Sequence, residues 1–424
     1  MSVHADHTFA ALHVRNYRLY FAGQGVSLVG TWMQSVALSW LAFELSHSGT
    51  VIGLVLAMQF LPVLLFGAYG GLIADRTAKR PLLIATQTAL GSLALLLGVL
   101  TVTHAVRLWM VFVIAGLLGT VQAADAPTRQ TFVMEMVGGE RVQNAVSLNS
   151  VLTNASRAVG PAIAGGAIAT VGVGVCFLAN AVSFLAVLAA LALIRTGELH
   201  PAPPVAHEPG QLRAGFHYVR TTAGLLVPLV MMALIGTLAY EFPVVLPLLA
   251  HQTLHGGADV FGFLTSAMGA GAVAGGLVIA TVGITGLAPL TVAALGFGLA
   301  ILAAAIVPTL ATELIALVLV GAASTAFMAT GNSTLQLTSD PSFRGRVMAL
   351  WSVTFQGSTP IGGPIIGAVS EYASPRFGLA LGALACVVAA AVGASVLRRA
   401  PPGERHAPQP VQMDWTSYQQ VHGV

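Results

Sequence analysis

Apolar residues in this chain fall into long runs closed by short polar breaks, and twelve such runs lie between Tyr17 and Leu397. A helix needs about 20 predominantly apolar residues to cross the hydrocarbon core of a bilayer. The pattern therefore predicts an all-α membrane protein with spanning helices over 17–43, 50–73, 82–103, 107–126, 142–170, 174–194, 224–250, 260–282, 286–307, 311–337, 346–370 and 375–397. The longest polar break runs from Arg195 to Thr222 and carries Pro201, Pro203, Pro204 and Pro209. It divides the runs six and six. The expected organisation is a first six-helix half over 1–194, a cytoplasmic linker over 195–223, a second half over 224–398 and a cytoplasmic tail over 399–424. Within the linker, Gln211 to Arg220 reads as a short amphipathic helix on the cytoplasmic face.

An internal repeat supports the division. At a constant offset of 202 residues, Leu148, Ser150, Val151, Gly160 and Gly165 match Leu350, Ser352, Val353, Gly362 and Gly367. These fall in the fifth and eleventh runs, which are equivalent positions in duplicated halves. Two such halves rocking about a central cavity is the simplest mechanism that this layout supports.

Composition agrees: the 424 residues are 56% hydrophobic and only 8% charged, where a soluble domain carries about 25% charged residues. The net charge of +3 is dispersed through apolar surroundings, so a nucleic-acid partner is not expected. Cys176 and Cys386 both lie in apolar runs, which argues against a disulfide framework or thiolate metal site. The polar stretch from Met1 to Tyr20 has no short apolar core of a cleavable signal, so the first helix is expected to serve as its own insertion signal. A nucleotide-binding loop is absent from the sequence, and no cofactor or metal is expected.

The basic residues set the orientation. With the N-terminus inside, fifteen of the eighteen fall in cytoplasmic segments, Arg107 and Arg376 fall outside, and Arg157 lies within a helix. Basic loops resist translocation, so both termini are expected in the cytoplasm. Lys79 is the only lysine, and the abundance of Ala, Gly and Arg suggests a high-GC bacterial genome.

Three segments carry chemistry. Between the second and third runs stands Gly71-Leu-Ile-Ala-Asp75-Arg76-Thr-Ala-Lys79-Arg80, a tight turn with a charge cluster at the membrane edge. Gly71, without a side chain, would let a neighbouring helix approach, and Asp75 would face the positive N-terminal end of the eleventh helix. The fourth run ends in Asp125-Ala-Pro127-Thr-Arg129, with Pro127 suited to a helix exit. The fifth carries Gly160, Pro161 and Gly165, and the eleventh Gly363, Pro364 and Gly367; such residues permit close packing and bends in lipid.

Two charges lie deep in membrane helices, where a charge usually marks a cavity or a pair. Arg157 is near the middle of the fifth helix, and Glu241 is in the middle part of the seventh. Glu241 is a candidate proton carrier, with Arg157 biasing it or holding an anionic substrate group; a static salt bridge or a snorkelling side chain is the alternative. On the first helix Gln24, Ser27, Thr31 and Gln34 are spaced 3, 4 and 3, which makes one face. That face is expected to line the cavity, with Trp32, Met33 and Met58 as soft contacts, and Asn149 and Asn154 of the fifth helix as further candidates. Ordinary interhelical hydrogen bonding is the alternative for each.

The loop around Asp75 resembles the signature of the major facilitator superfamily, with Ala78 at the position of its usual glycine. That resemblance implies a gating network in which Gly71, Asp75, Arg76, Lys79 and Arg80 act with Asp125, Arg129 and Arg346, latching the outward-open state and breaking on switching. It also implies that Asp125 pairs with the basic members of the loop, and that Asp75 and Asp125 are further proton-coupling candidates. The Gly160-Pro161 element resembles the motif of the antiporter branch. Arg15 to Gln24, Ala126 to Gln130, Asn144 to Asn149 and Arg344 to Ala349 are similar to the multidrug and siderophore exporters of that branch. The implied function is proton-driven export of drug-like compounds or a siderophore across the bacterial inner membrane by a monomer, with uptake of a small metabolite as the alternative. Its partners would be a small-molecule substrate, protons and the bilayer.

Overall fold

The computed structural model describes residues 9–200, 211–282, 285–340 and 343–399, and those residues form helices and short connections with no strand. The first half consists of α1 (Arg15–Ser46), α2 (Gly49–Arg76), α3 (Lys79–Val102), α4 (Leu108–Val137), α5 (Val142–Val171) and α6 (Val173–Leu193). A linker helix α7 (Gln211–Thr221) leads to α8 (Ala223–Leu238) and α9 (Phe242–Leu248), which together with a π-helical turn over Leu249–Thr253 form the seventh span. Then follow α10 (Ala258–Val282), α11 (Leu287–Ile306), α12 (Leu310–Thr338), α13 (Arg344–Gln356), α14 (Thr359–Tyr372) and α15 (Pro375–Arg399). Among the described residues ten segments are long and apolar enough to cross a membrane; α5 and the consecutive pair α13–α14 complete twelve spans. The bundle turns Leu96, Val113, Leu185, Val292 and Ile315 outward, as a solvent of hydrocarbon allows.

The packing repeats between halves. α1 packs on α6 as α8 packs on α15, α2 on α4 as α10 on α12, and α3 on α6 as α11 on α15. The halves meet along two seams, α2 against α14 and α5 against α10. At those seams the backbones all but touch: a Cβ on Gly165 would collide with the carbonyl of Gly262, and one on Gly53 with that of Gly363. The offset-matched glycines Gly165 and Gly367 thus do one job, since Gly367 meets the carbonyl of Gly49 in the same way.

Three helix boundaries differ from the sequence expectation. α4 does not end at Pro127 but runs on to Val137 with the proline inside it. A proline leaves the carbonyl four residues earlier without its donor, here that of Ala123. Gly70 of α2 packs directly on this carbonyl, covering it at the α2–α4 contact. The seventh span is discontinuous: Ala239 closes α8, and Glu241 starts α9 by accepting from the amides of Val244 and Val245. Pro243 has no amide to extend the earlier helix, so the chain restarts there. The eleventh span likewise breaks at Gly357–Ser358 ahead of Pro360. α7 forms where an amphipathic helix was expected; its Tyr218 stacks on Phe343 at 4.5 Å, and its hydroxyl accepts from the amide of Asp340. Residues 201–210 of the linker and 400–424 of the tail lie outside the described residues.

Candidate functional site: a central cavity open at one end

Between the halves lies a cavity of about 790 Å³, walled by α1, α5, the break before α9 and α9 itself, α10, α12 and α13. Drug-sized ligands occupy pockets of roughly 300–1,000 Å³. Its wall is mainly apolar, with Trp32, Phe242, Phe261, Met268, Met328 and Phe355, and it carries polar groups from Ser35, Ser150, Asn154, Asn332 and Gln336.

The two ends of the cavity differ. Toward the end that holds the α2–α3 loop, its lining residues Val146, Val151 and Leu277 are exposed, Leu277 to 66%. Toward the far end Leu246, Phe261 and Thr265 are buried. That far end is sealed by contacts between the halves. Trp40 stacks on Phe261 at 4.9 Å, Phe43 meets His251 at 5.3 Å, and Ser266 donates to the carbonyl of Ala162 at 3.0 Å. Across the α2–α14 seam, Glu371 accepts from the Ser48 hydroxyl at 2.7 Å, the Thr50 amide at 2.9 Å and the Thr50 hydroxyl at 2.7 Å. A carboxylate at the N-terminus of α2 also meets the positive end of its dipole.

Arg157 stands at the middle of α5 and lines the cavity. Its guanidinium is held between two rings, 4.9 Å from the centroid of Trp32 and 4.9 Å from that of Phe355. Tyr240 closes the cluster, edge-on to Phe355, with its hydroxyl donating to the carbonyl of Ser324 at 2.8 Å. No ion pair joins Arg157 to Glu241 among the described residues. The alternative of a static salt bridge between the two is thus not what the structure holds: Glu241 turns away from the cavity, buried at the break between α8 and α9, where its Oε1 has no hydrogen-bond partner and lies beside Gly362 of α14.

The polar face of α1 is also placed differently from expectation. Gln34 accepts from the amide of Asn180 at 2.7 Å, and Gly30 packs on Asn180 and Ser183 of α6. Gln24 and Ser27 are buried, and Thr31 donates to the carbonyl of Ser27. That face holds α1 to its own half, while Trp32 and Ser35 face the cavity. On α5 Asn154 lines the cavity and Asn149 does not. Gly160 admits the backbone of Val29 and Met33 and the Cβ of Trp32 against α5. Pro161 lines the cavity, and Pro364 sits inside α14.

The charged loop is tied to its own half. Lys79 pairs with Glu135 of α4 at 3.7 Å, and Arg80 donates to the carbonyls of Leu191 and Ala192 at the end of α6. Asp125, buried within α4, pairs with Arg129 at 2.8 Å and accepts from Thr86 at 2.6 Å and Gln87 at 2.7 Å. The expected pairing of Asp125 with the basic members of the loop, Arg76, Lys79 and Arg80, is thus replaced by Arg129, and Glu135 takes the lysine. Glu135 went unnoticed in the sequence because the helix was ended before it. Arg76 is exposed, and Arg346 lies over the ring of Phe343 at 4.9 Å. The side chain of Asp75 lies outside the described residues. Gly71 has open space where its Cβ would be, so its missing side chain is not used in this conformation. Ala78 caps α3 at φ −63° and ψ 121°, an ordinary extended conformation that requires no glycine.

Two six-helix halves about a central cavity, open at one end and shut at the other, define a membrane transporter of the major facilitator kind. Within that class the chain belongs to the transmembrane secretion effector family, whose model matches residues 6–419. It is 28% identical over 376 residues to the enterobactin exporter of Shigella boydii, covering 85% of this chain and 86% of that protein. It is 26% identical over 264 residues to the staphyloferrin A transporter of Staphylococcus aureus, covering 62% of this chain and 66% of that one. With the macrolide efflux protein A of Streptococcus pyogenes it shares 24% identity over 35% of its own length and 38% of the relative's. The last two matches thus span less than two thirds of those relatives. Among solved structures, a bacterial homologue of the human lysosomal transporter Spinster in an inward-facing, occupied conformation is similar at a TM-score of 0.71, with 14% identity over 93% of this chain and 99% of that one.

Proposed function

We propose that this chain exports small organic molecules, siderophores or drug-like compounds, across the bacterial inner membrane in exchange for protons. The observation that carries the reading is the drug-sized cavity at mid-bundle, open only toward the basic end. Basic loops stay on the cytoplasmic side, so that opening faces the cytoplasm, where an exporter loads. Both termini then lie inside, and one chain carries the whole pathway as a monomer. The relatives named above include proteins described as a siderophore exporter, a siderophore transporter and a macrolide efflux protein, and this chain is read as sharing that role.

Glu241 is the residue proposed to carry the proton. It sits at the break of a span that contacts both α14 and α1, so rocking of the halves changes what surrounds it. A carboxyl that alternates between an enclosed and a wetted setting takes up and releases a proton. Asp125 and Asp75 are proposed for the gate, with Asp125 anchoring α3 to α4 while the loop engages and releases the second half.

The test is transport into proteoliposomes carrying the purified chain, with enterobactin, staphyloferrin A and a macrolide as labelled compounds and an imposed pH gradient. Movement of at least one compound against the direction of proton flow is expected. In Glu241→Gln, exchange of labelled for unlabelled compound continues but ceases to respond to the gradient. Movement of a compound together with protons would establish uptake instead.

A further inference from the structure

We infer that Arg157 makes the cavity selective for anionic aromatic or amphiphilic molecules, so that the cargo carries a carboxylate or similar acidic group and cationic drugs are poor substrates. This rests on the transport reading of the cavity and names the class of compound it accepts. Arg157 is the only charged side chain among the described residues of the cavity wall. It makes no hydrogen bond or ion pair among the described residues, and its Nε is buried without a partner. Two readings of an arginine in a membrane helix are a salt bridge and snorkelling. The first lacks an acid. The second lacks reach, because Arg157 is fifteen residues into α5, about 22 Å along a helix rising 1.5 Å per residue.

What holds the cation instead is the pair of rings. Contacts of a cation with ring faces are individually modest, of order 0.5–2 kcal/mol, and supply no countercharge. A charge deep in a membrane normally has one. The guanidinium is thus fixed in direction by Trp32 and Phe355 but left to find its anion in the cavity. A carboxylate can take two parallel N–H donors from it, while a planar ring beside that carboxylate finds Trp32, Phe355 and Tyr240 already grouped. A wall whose described residues hold one cation and no acid raises the local concentration of anions and repels ammonium groups. Trp32 is on α1 and Phe355 on α13, so the same stack bridges the two halves, and a ligand that engages Arg157 touches both.

The experiment compares three matched probes on the purified full-length chain: naphthalene carboxylate, its neutral amide and naphthylmethylammonium, with equilibrium binding measured for each. Wild type is expected to bind the carboxylate at least tenfold more tightly than the other two. Arg157→Gln removes that preference, and Arg157→Lys keeps part of it, since an ammonium is a point charge without the fork. Equal or tighter binding of the ammonium probe by wild type overturns the inference, and this arm stands even if a variant fails to fold. A ranking unchanged in a monodisperse Arg157→Gln overturns it as well. Loss of the preference in the presence of chloride at a concentration similar to the probe's would show that a free inorganic anion is the occupant, and overturns the organic assignment. Carboxylate binding through Arg157 without any transport would leave this inference standing and remove the exporter reading. Export of ammonium compounds indifferent to Arg157→Gln would do the reverse.

Discussion

Asp125 shows what an acid inside a lipid-embedded helix requires. Its carboxylate is 1% exposed and is met by Arg129 one turn later and by Thr86 and Gln87 across the α3–α4 contact. Removing one partner of a buried pair strands the other, at a cost of about 3–5 kcal/mol. Asp125→Ala should therefore lower the thermal stability of the purified protein sharply, whereas Asp125→Asn, which can still accept from Thr86, should cost less than half as much. A melting series in one detergent decides it, and equal effects of the two variants would mean that the charge itself, not the hydrogen bonding, holds the site. The spacing of the sequence identified Asp125 and Arg129 but not their partnership, because an acid near a basic loop looks as though it belongs to that loop. Only the continuation of α4 past Pro127 moves Glu135 under Lys79 and leaves Asp125 to Arg129.

At the level of the helices, the sequence made apolar length legible and left breaks obscure. A proline's effect depends on whether a neighbour covers the carbonyl it frees, and that neighbour is remote in sequence: Gly70 does so for Pro127, while the seventh span simply restarts at Glu241. The polar stripe of α1 was legible as a face, but period alone does not say which neighbour that face meets, and α6 proved to be the partner. The adjacent glycines of α2 separate these effects. Gly70 is filled by the backbone of Ala123, whereas Gly71 faces open space. Gly70→Val should prevent accumulation of folded protein. Gly71→Val should fold with unchanged stability and bind cargo from the open, basic end, yet lose most transport if closing that end brings another helix against α2. Normal turnover by a folded Gly71→Val would show that this stretch stays open throughout the cycle.

For the molecule as a whole, the twelve runs and the offset of 202 residues were enough to expose two halves, because lipid demands apolar length and duplication leaves matched glycines. The conformation was not legible, since a sequence encodes both ends of a rocking motion at once. In the structure the basic loop is tied to its own half, and it is the far end that is latched. The latch has a simple chemistry: Glu371 of one half accepts three hydrogen bonds from Ser48 and Thr50 at the head of α2 in the other. Opening the far end must break all of them. Hydrogen bonds to a charged group contribute roughly 1.5–3 kcal/mol where buried, and water at the mouth reduces this toward the lower figure. Glu371→Gln, which loses the charge and one acceptor, should shift the balance toward the far-open state by about tenfold, or 1.4 kcal/mol. Thr265→Cys, placed in the cavity wall near the sealed end in a chain with Cys176 and Cys386 replaced by alanine, reports this directly. A membrane-impermeant thiol reagent added from the side of the far end should label it several-fold faster when Glu371 is glutamine, and cargo supplied from the basic end should bind correspondingly more weakly. If labelling from that side is unchanged, the seal rests on the glycine seams, the Trp40–Phe261 and Phe43–His251 contacts and the Ser266 hydrogen bond, and Glu371 only caps α2.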